Sequence, residues 1–141
     1  KVEDQGRTHI SPGQDHPGYN SVPATSGWHY PQPLAPAKWA VHVDSIPDEI
    51  LVHNLEHGGI GVHYNCPEVC DDLVDQLAEI VRDSTRQGLK VIMSPYPEIG
   101  SKIAITAWNF IDKFDQFDEQ RIRAFVESHE RSPNAPEPTA R

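Results

Sequence analysis

Two of the eight histidines in this 141-residue chain fall in one phrase, His53-Asn54-Leu55-Glu56-His57, closed by Gly58-Gly59. In a helix, residues four apart share a face about one turn apart, so both imidazoles would project together. Neutral imidazole suits zinc, copper, nickel and iron, and at neutral pH it binds without first losing a proton. A pair from one turn needs partners from elsewhere in the chain. One or two histidines from the segment upstream would complete a three- or four-coordinate site for copper or zinc. Glu56 and Asp44 are candidate further ligands, or acceptors for an imidazole N–H. A metal held this way would order that upstream segment, and so add to the folding free energy.

Other chemistry fits the same residues. The histidine pair can hydrogen-bond backbone carbonyls or tyrosine hydroxyls with no ion involved. His53-x-x-Glu56-His57 also matches the order used by inverted zinc peptidases, in which two histidines hold zinc and the glutamate activates water. Gly58-Gly59 would interrupt such a helix at once, and the domain is small for a deep cleft. His16 is as suited to a surface role as to ligation, and His42, His63 and His129 are expected on solvated faces. Cys66 and Cys70, the only cysteines, are spaced so that adjacent turns can bring their Cα atoms to about 6 Å, a separation a disulfide tolerates. Free thiols are the alternative, and nothing in the sequence joins a cysteine, His57 and Met93 into a copper(I) site. No serine–histidine–acid order stands out, nor a phosphate-binding glycine loop after a strand.

The elements that must position these groups follow from pattern. The length fits one domain. With 12 Lys and Arg against 21 Asp and Glu, the formal charge is -9. That argues against nucleic acid, whose phosphates require a basic patch, and against anionic lipid. No run approaches the ~20 apolar residues of a membrane span. The chain starts at Lys1 without methionine, so it is expected to be a processed or trimmed piece whose targeting segment preceded it.

Residues 1–48 carry Pro12, Pro17, Pro23, Pro31, Pro33, Pro36 and Pro47, which disfavour helix because each removes a donor and restricts its predecessor. Tyr19, Trp28, Tyr30 and Trp39 lie among them, so the expectation is an ordered irregular arm anchored by aromatics, with a short strand at residues 39–43. Those aromatics, with Tyr64, Tyr96 and Trp108, are better read as an arm–core interface than as a ligand platform. The core, residues 49–131, opens with a short helix or turn carrying His53 and His57, which Gly58-Gly59 would stop. Ile60, Val62 and Tyr64 alternate as a strand. An amphipathic helix opening at Pro67-Glu68, with Val69, Leu73, Leu77, Ile80 and Val81 at helical spacing, leads to strands at 89–93 and 103–108. A second helix is expected at 118–130, and an extended tail at 132–141. The fold class is α+β: a small mostly antiparallel sheet, two helices and a long proline-rich N-terminal arm.

The phrases Tyr19-Asn-Ser-Val-Pro23, Thr25-Ser-Gly-Trp-His29-Tyr-Pro, Leu51-Val-His-Asn-Leu-Glu-His-Gly-Gly59, Ser94-Pro-Tyr-Pro97 and Thr106-Ala-Trp108 occur in that order. Together they resemble the uncharacterised bacterial family catalogued as domain of unknown function 3105, over nearly the whole chain. The resemblance implies export, often behind an N-terminal membrane anchor. It selects four histidines, His9, His29, His53 and His57, without assigning them a role, and so makes His29 and His9 the arm's candidates to join His53 and His57 in a copper or zinc site. Cys66, Cys70 and Met93 depart from the family pattern. Export favours the Cys66–Cys70 disulfide over free thiols.

The leading expectation is therefore an extracytoplasmic metal-binding domain, leaning away from catalysis, that captures, delivers or is stabilised by copper or zinc. One alternative is a structural or assembly subunit of a cell-surface or extracellular polymer, self-associating through its arm. The other is a small zinc hydrolase using Glu56.

Overall fold

The alternation of Ile60, Val62 and Tyr64 forms the central strand of a four-stranded sheet in the computed structural model, which describes every residue except Pro67 and Val69. The elements run α1 (Asp48–Glu56), β1 (Ile60–Tyr64), α2 (Asp71–Arg86), β2 (Val91–Pro95), β3 (Ile103–Ala107), β4 (Phe110–Phe114) and α3 (Glu119–His129). The strand order is β2-β1-β3-β4. β1 pairs in parallel with β2, Ile60 opposite Val91, while the β1–β3 and β3–β4 pairs are antiparallel. The fold is therefore α+β with a mostly antiparallel sheet. The phrase left open between helix and turn is a helix, which makes three with the two expected.

α2 supplies the crossover that a parallel β1–β2 pair requires. It begins at Asp71, with Cys70 as its N-cap; the expected opening at Pro67 and the contact expected of Val69 lie outside the described residues. Its Leu77, Ala78, Ile80 and Val81 are buried and pack on Ile60, Val62, Val91, Met93, Ile103 and Ile105, with Ile122 and Val126 of α3 closing the same core. Cys66 and Cys70 are joined in a disulfide just before α2, with Cα atoms 6.2 Å apart.

β4 was missing from the expected elements. Phe110-Ile-Asp-Lys-Phe114 lacks the clean alternation of a half-buried strand, and only Phe114 of the five is buried. It is defined by its partner across a two-residue turn, where Ala107 pairs with Phe110 and Asn109 takes φ 65°, a conformation asparagine tolerates. The strand expected at 39–43 reduces to a single bridge between Val41 and Met93.

Among the described residues, 1–47 contain no helix and no named strand. Their backbone groups pair instead in isolated ways: Ile10 N–H donates to His29 O, His29 N–H to Thr8 O and Tyr30 N–H to Glu49 O. Asn54 grips the same segment with its whole amide, accepting from Ala37 N–H at 2.8 Å and donating to Ala37 O at 2.9 Å. Residues 132–141 run through turns across the end of α1, where Glu137 N–H donates to Glu56 O. Lys90 Nζ donates to the carbonyls of His57, Pro138 and Ala140 and so ties that segment to β2. No helix among the described residues is long and apolar enough to cross a membrane.

Gly58 and Gly59 end α1 and set where its last turn lies. Gly58 has φ 82°, and its N–H donates to Leu55 O while Gly59 N–H donates to Asn54 O. These two bonds are the paired terminal bonds of a Schellman motif. At Gly59 an added Cβ would collide with the Trp39 ring and lie 2.8 Å from Asn54 O. Gly59→Ala is expected to destabilise the fold by about 1–3 kcal/mol through overpacking, read as a lower denaturant midpoint. An unchanged midpoint would show that Trp39 yields freely.

Candidate metal centre

α1 starts directly after Pro47, with Asp48 and Glu49 in its first turn, where acidic side chains complement the helix dipole. Its last turn carries His53 and Glu56, and His57 is the C-cap. His53 and His57 thus keep the one-turn spacing although only His53 lies within the helix. Both are buried, as are Asn54, Leu55 and Glu56 between them. His29 reaches the same place from a loop held by its bridge to His9.

The three buried imidazoles are oriented alike. His29 Nδ1 lies 2.8 Å from Gly27 O, His53 Nδ1 2.6 Å from Tyr30 O and His57 Nδ1 2.7 Å from Arg141 O. A carbonyl oxygen only accepts, so each Nδ1 carries the hydrogen. In the neutral ring the lone pair is then on Nε2. A backbone carbonyl fixing the tautomer is the arrangement commonly found behind metal-bound histidines. His53 Nε2 and His57 Nε2 approach to 3.1 Å. With both Nδ1 atoms protonated, that approach brings two lone pairs together unless a proton or metal cation lies between them.

Glu56 faces the rings. Its Oε1 is 3.3 Å from His29 Nε2 and its Oε2 3.2 Å from Arg7 Nε. Its side chain is 1 % exposed and that of His29 is 0 %. Yet neither carboxylate oxygen, nor His29 Nε2, closes a hydrogen bond. Three orphaned polar atoms in one buried spot are costly unless something satisfies them. Burial alone would raise the Glu56 pKa, but His29, Arg7 and His53 together outweigh it and hold the carboxyl below its ordinary range. Burial, reinforced by the His57 and His29 rings, lowers the pKa of His53 against the pull of the Tyr30 carbonyl and Glu56. Both shifts favour the ligand-ready forms, ionised carboxylate and neutral imidazole.

His9 is exposed and packs edge-on to His29, with ring centroids 4.8 Å apart, and stacks on His53 at 6.0 Å. One potential ligand atom from each of His9, His29, His53 and Glu56 lies within 4.8 Å of all the others. His57 belongs to an adjoining group, with Glu56 and Glu137, that meets the same limit. The sequence-selected histidines thus occupy two overlapping clusters that share Glu56, and each cluster could hold a metal ion.

Asp44 is exposed and joins neither cluster. His16 pairs with Glu49 at 2.9 Å and stacks on Trp28. His63, expected in solvent, is instead fully buried beside Tyr96, with Nδ1 3.0 Å from Ser94 Oγ. β1 is covered on both faces, so its alternation does not separate core from solvent. No local pattern marks Arg7 and Glu137, which lie 49 and 81 residues from Glu56.

The family described as protein of unknown function (DUF3105) matches residues 9–141. The chain belongs to that family. The match takes in all four family-pattern histidines together with Glu56 and Glu137, and stops short of Arg7. No curated protein and no solved structure matches this DUF3105 chain.

Proposed function

We propose that this DUF3105 domain binds one copper or zinc ion through His29, His53 and Glu56, with His9 closing the exposed side and His57 beside them. The reading rests on one observation: buried imidazoles, each fixed by a carbonyl at Nδ1, cluster with a buried carboxylate that faces His29 Nε2 and accepts no hydrogen bond. Imidazole nitrogen with one carboxylate is a donor set both ions accept. The ion would satisfy the orphaned atoms and fasten residues 1–48, acting as an arm, to the core of residues 49–131 and the tail of 132–141. Its role is metal capture, delivery or metal-stabilised structure. A Cys66–Cys70 disulfide fits an oxidising, extracytoplasmic compartment, where such bonds persist.

The burial of Glu56 favours a ligand over a water-activating base, which needs room for water and substrate beside it. This weighs against the hydrolase reading of His53-x-x-Glu56-His57.

Metal analysis of the purified chain after refilling with zinc or copper(II) at neutral pH tests the proposal. One tightly held equivalent is expected, lost in His53→Ala and at least tenfold weaker in His57→Ala. Absence of stoichiometric metal in the refilled wild type would rule the proposal out.

A further inference from the structure

The two oxygens of the Glu56 carboxylate point at different neighbours. Oε1 faces His29 Nε2, inside the cluster completed by His9 and His53. Oε2 faces the Arg7 guanidinium at 3.2 Å, and the same guanidinium donates to Glu137 Oε2 at 2.8 Å. Arg7 therefore bridges two of the three members of the second cluster, Glu56, His57 and Glu137. The third member, His57, is oriented for ligation by the Arg141 carbonyl.

Resting on the metal reading above, we propose that the site has two cation positions sharing Glu56, the second formed by Glu56 Oε2, His57 and Glu137 and filled by the Arg7 guanidinium until a second metal ion displaces it. Glu56 Oε2 is the independent pointer, because it is a buried carboxylate oxygen that closes no hydrogen bond even with Arg7 beside it. A guanidinium is planar and directs its donors in a fixed fork, whereas a metal ion accepts ligands converging from several directions. Arg7 neutralises the position without satisfying it.

Exposure makes the exchange feasible. The Arg7 side chain is 53 % exposed and that of Glu137 42 %, so the guanidinium can swing into water while Glu137 stays. A carboxylate bridging two metals, each with its own histidine, is the arrangement of two-metal sites, whose ions sit about 3.5–4 Å apart. His53 would ligate the first position, and His57, packed against His53 at the edge of that position, would ligate the second. Arg7 makes the second step weaker than the first, because the incoming ion must expel a cation already paired with two carboxylates.

Equilibrium dialysis of the full chain against zinc, with bound metal measured by mass spectrometry, tests this. Wild type is expected to take one tight equivalent and a second at least tenfold weaker. Arg7→Gln should tighten the second step tenfold or more while changing the first far less, and Arg7→Gln with Glu137→Gln should remove the second step. One equivalent in both wild type and Arg7→Gln, up to millimolar zinc, overturns the second position and leaves the first standing. A second step that survives Glu137→Gln overturns it too, because the added zinc then sits elsewhere. No bound zinc in wild type defeats both readings. Arg7 is half exposed but faces the buried Glu56 carboxylate, so metal-free Arg7→Gln is expected to melt lower, and an unchanged circular-dichroism spectrum at the dialysis temperature shows that the comparison is fair.

Discussion

Metal at a hundredfold excess over its dissociation constant is expected to raise the thermal midpoint of the wild-type chain by roughly 8 °C and to leave His29→Ala nearly unmoved. A ligand that binds only the folded state stabilises it by about 2.7 kcal/mol at that excess, and a domain of this length shifts a few degrees per kcal/mol. His29 is the residue to change because it joins separate parts of the chain. Its backbone pairs with Thr8 and Ile10, its Nδ1 is fixed by Gly27 O, and its Nε2 faces Glu56. Losing that ring removes a ligand and loosens His9 together. Residual binding by histidines in the unfolded chain lowers the gain in both proteins equally, so the difference between them is the diagnostic. Scanning calorimetry with and without zinc reads it directly. Equal shifts in wild type and His29→Ala would mean that the metal acts elsewhere on the chain.

The second large effect is acid destabilisation through His63. Burial pushes this imidazole from its ordinary 6.5 down to about 4, only partly opposed by its hydrogen bond with Ser94. The native state therefore holds His63 neutral where the unfolded chain already takes up a proton. Between pH 6.5 and 4 the unfolded state binds more protons, so stability rises with pH across that window and falls on acidification. Full stability is present above pH 6.5, and the loss reaches roughly 3 kcal/mol near pH 4. Other histidines and carboxylates titrate in the same range, so the comparison is between wild type and His63→Gln, which keeps a polar side chain that cannot charge. Urea midpoints at pH 7 and 4.5 should diverge less in the variant. Parallel curves for the two proteins would remove His63 from the account.

The same residue marks a boundary of what the sequence reveals. Period-two alternation in β1 indicates a strand, and it also assigns His63 to the face away from Val62. It cannot say whether that face meets water. The ring is buried there beside Tyr96, and Gly61 leaves it space: a Cβ on Gly61 would lie 2.6 Å from His63 Nε2 and 2.5 Å from Thr106 Oγ1. β4 failed to declare itself for a related reason, since its pairing with β3 fixes it more than its own alternation does.

Local chemistry did determine a good deal. Helical spacing set His53 and His57 one turn apart. Gly58-Gly59 fixed where that helix stops, the helical spacing of Leu73, Leu77, Ile80 and Val81 marked the second helix, and two cysteines four residues apart allowed a disulfide. Each is a short-range effect, decided by backbone torsions and side chains within a few residues of one another. Only the tertiary structure decided what those histidines face. Arg7, His9, His29, Glu137 and the Arg141 carbonyl come from the two ends of the chain and converge on Glu56 and the rings beside it. No spacing rule spans such separations. They meet because packing the terminal segments over α1 buries polar groups that must then find partners, and Glu56 is the carboxylate at their centre.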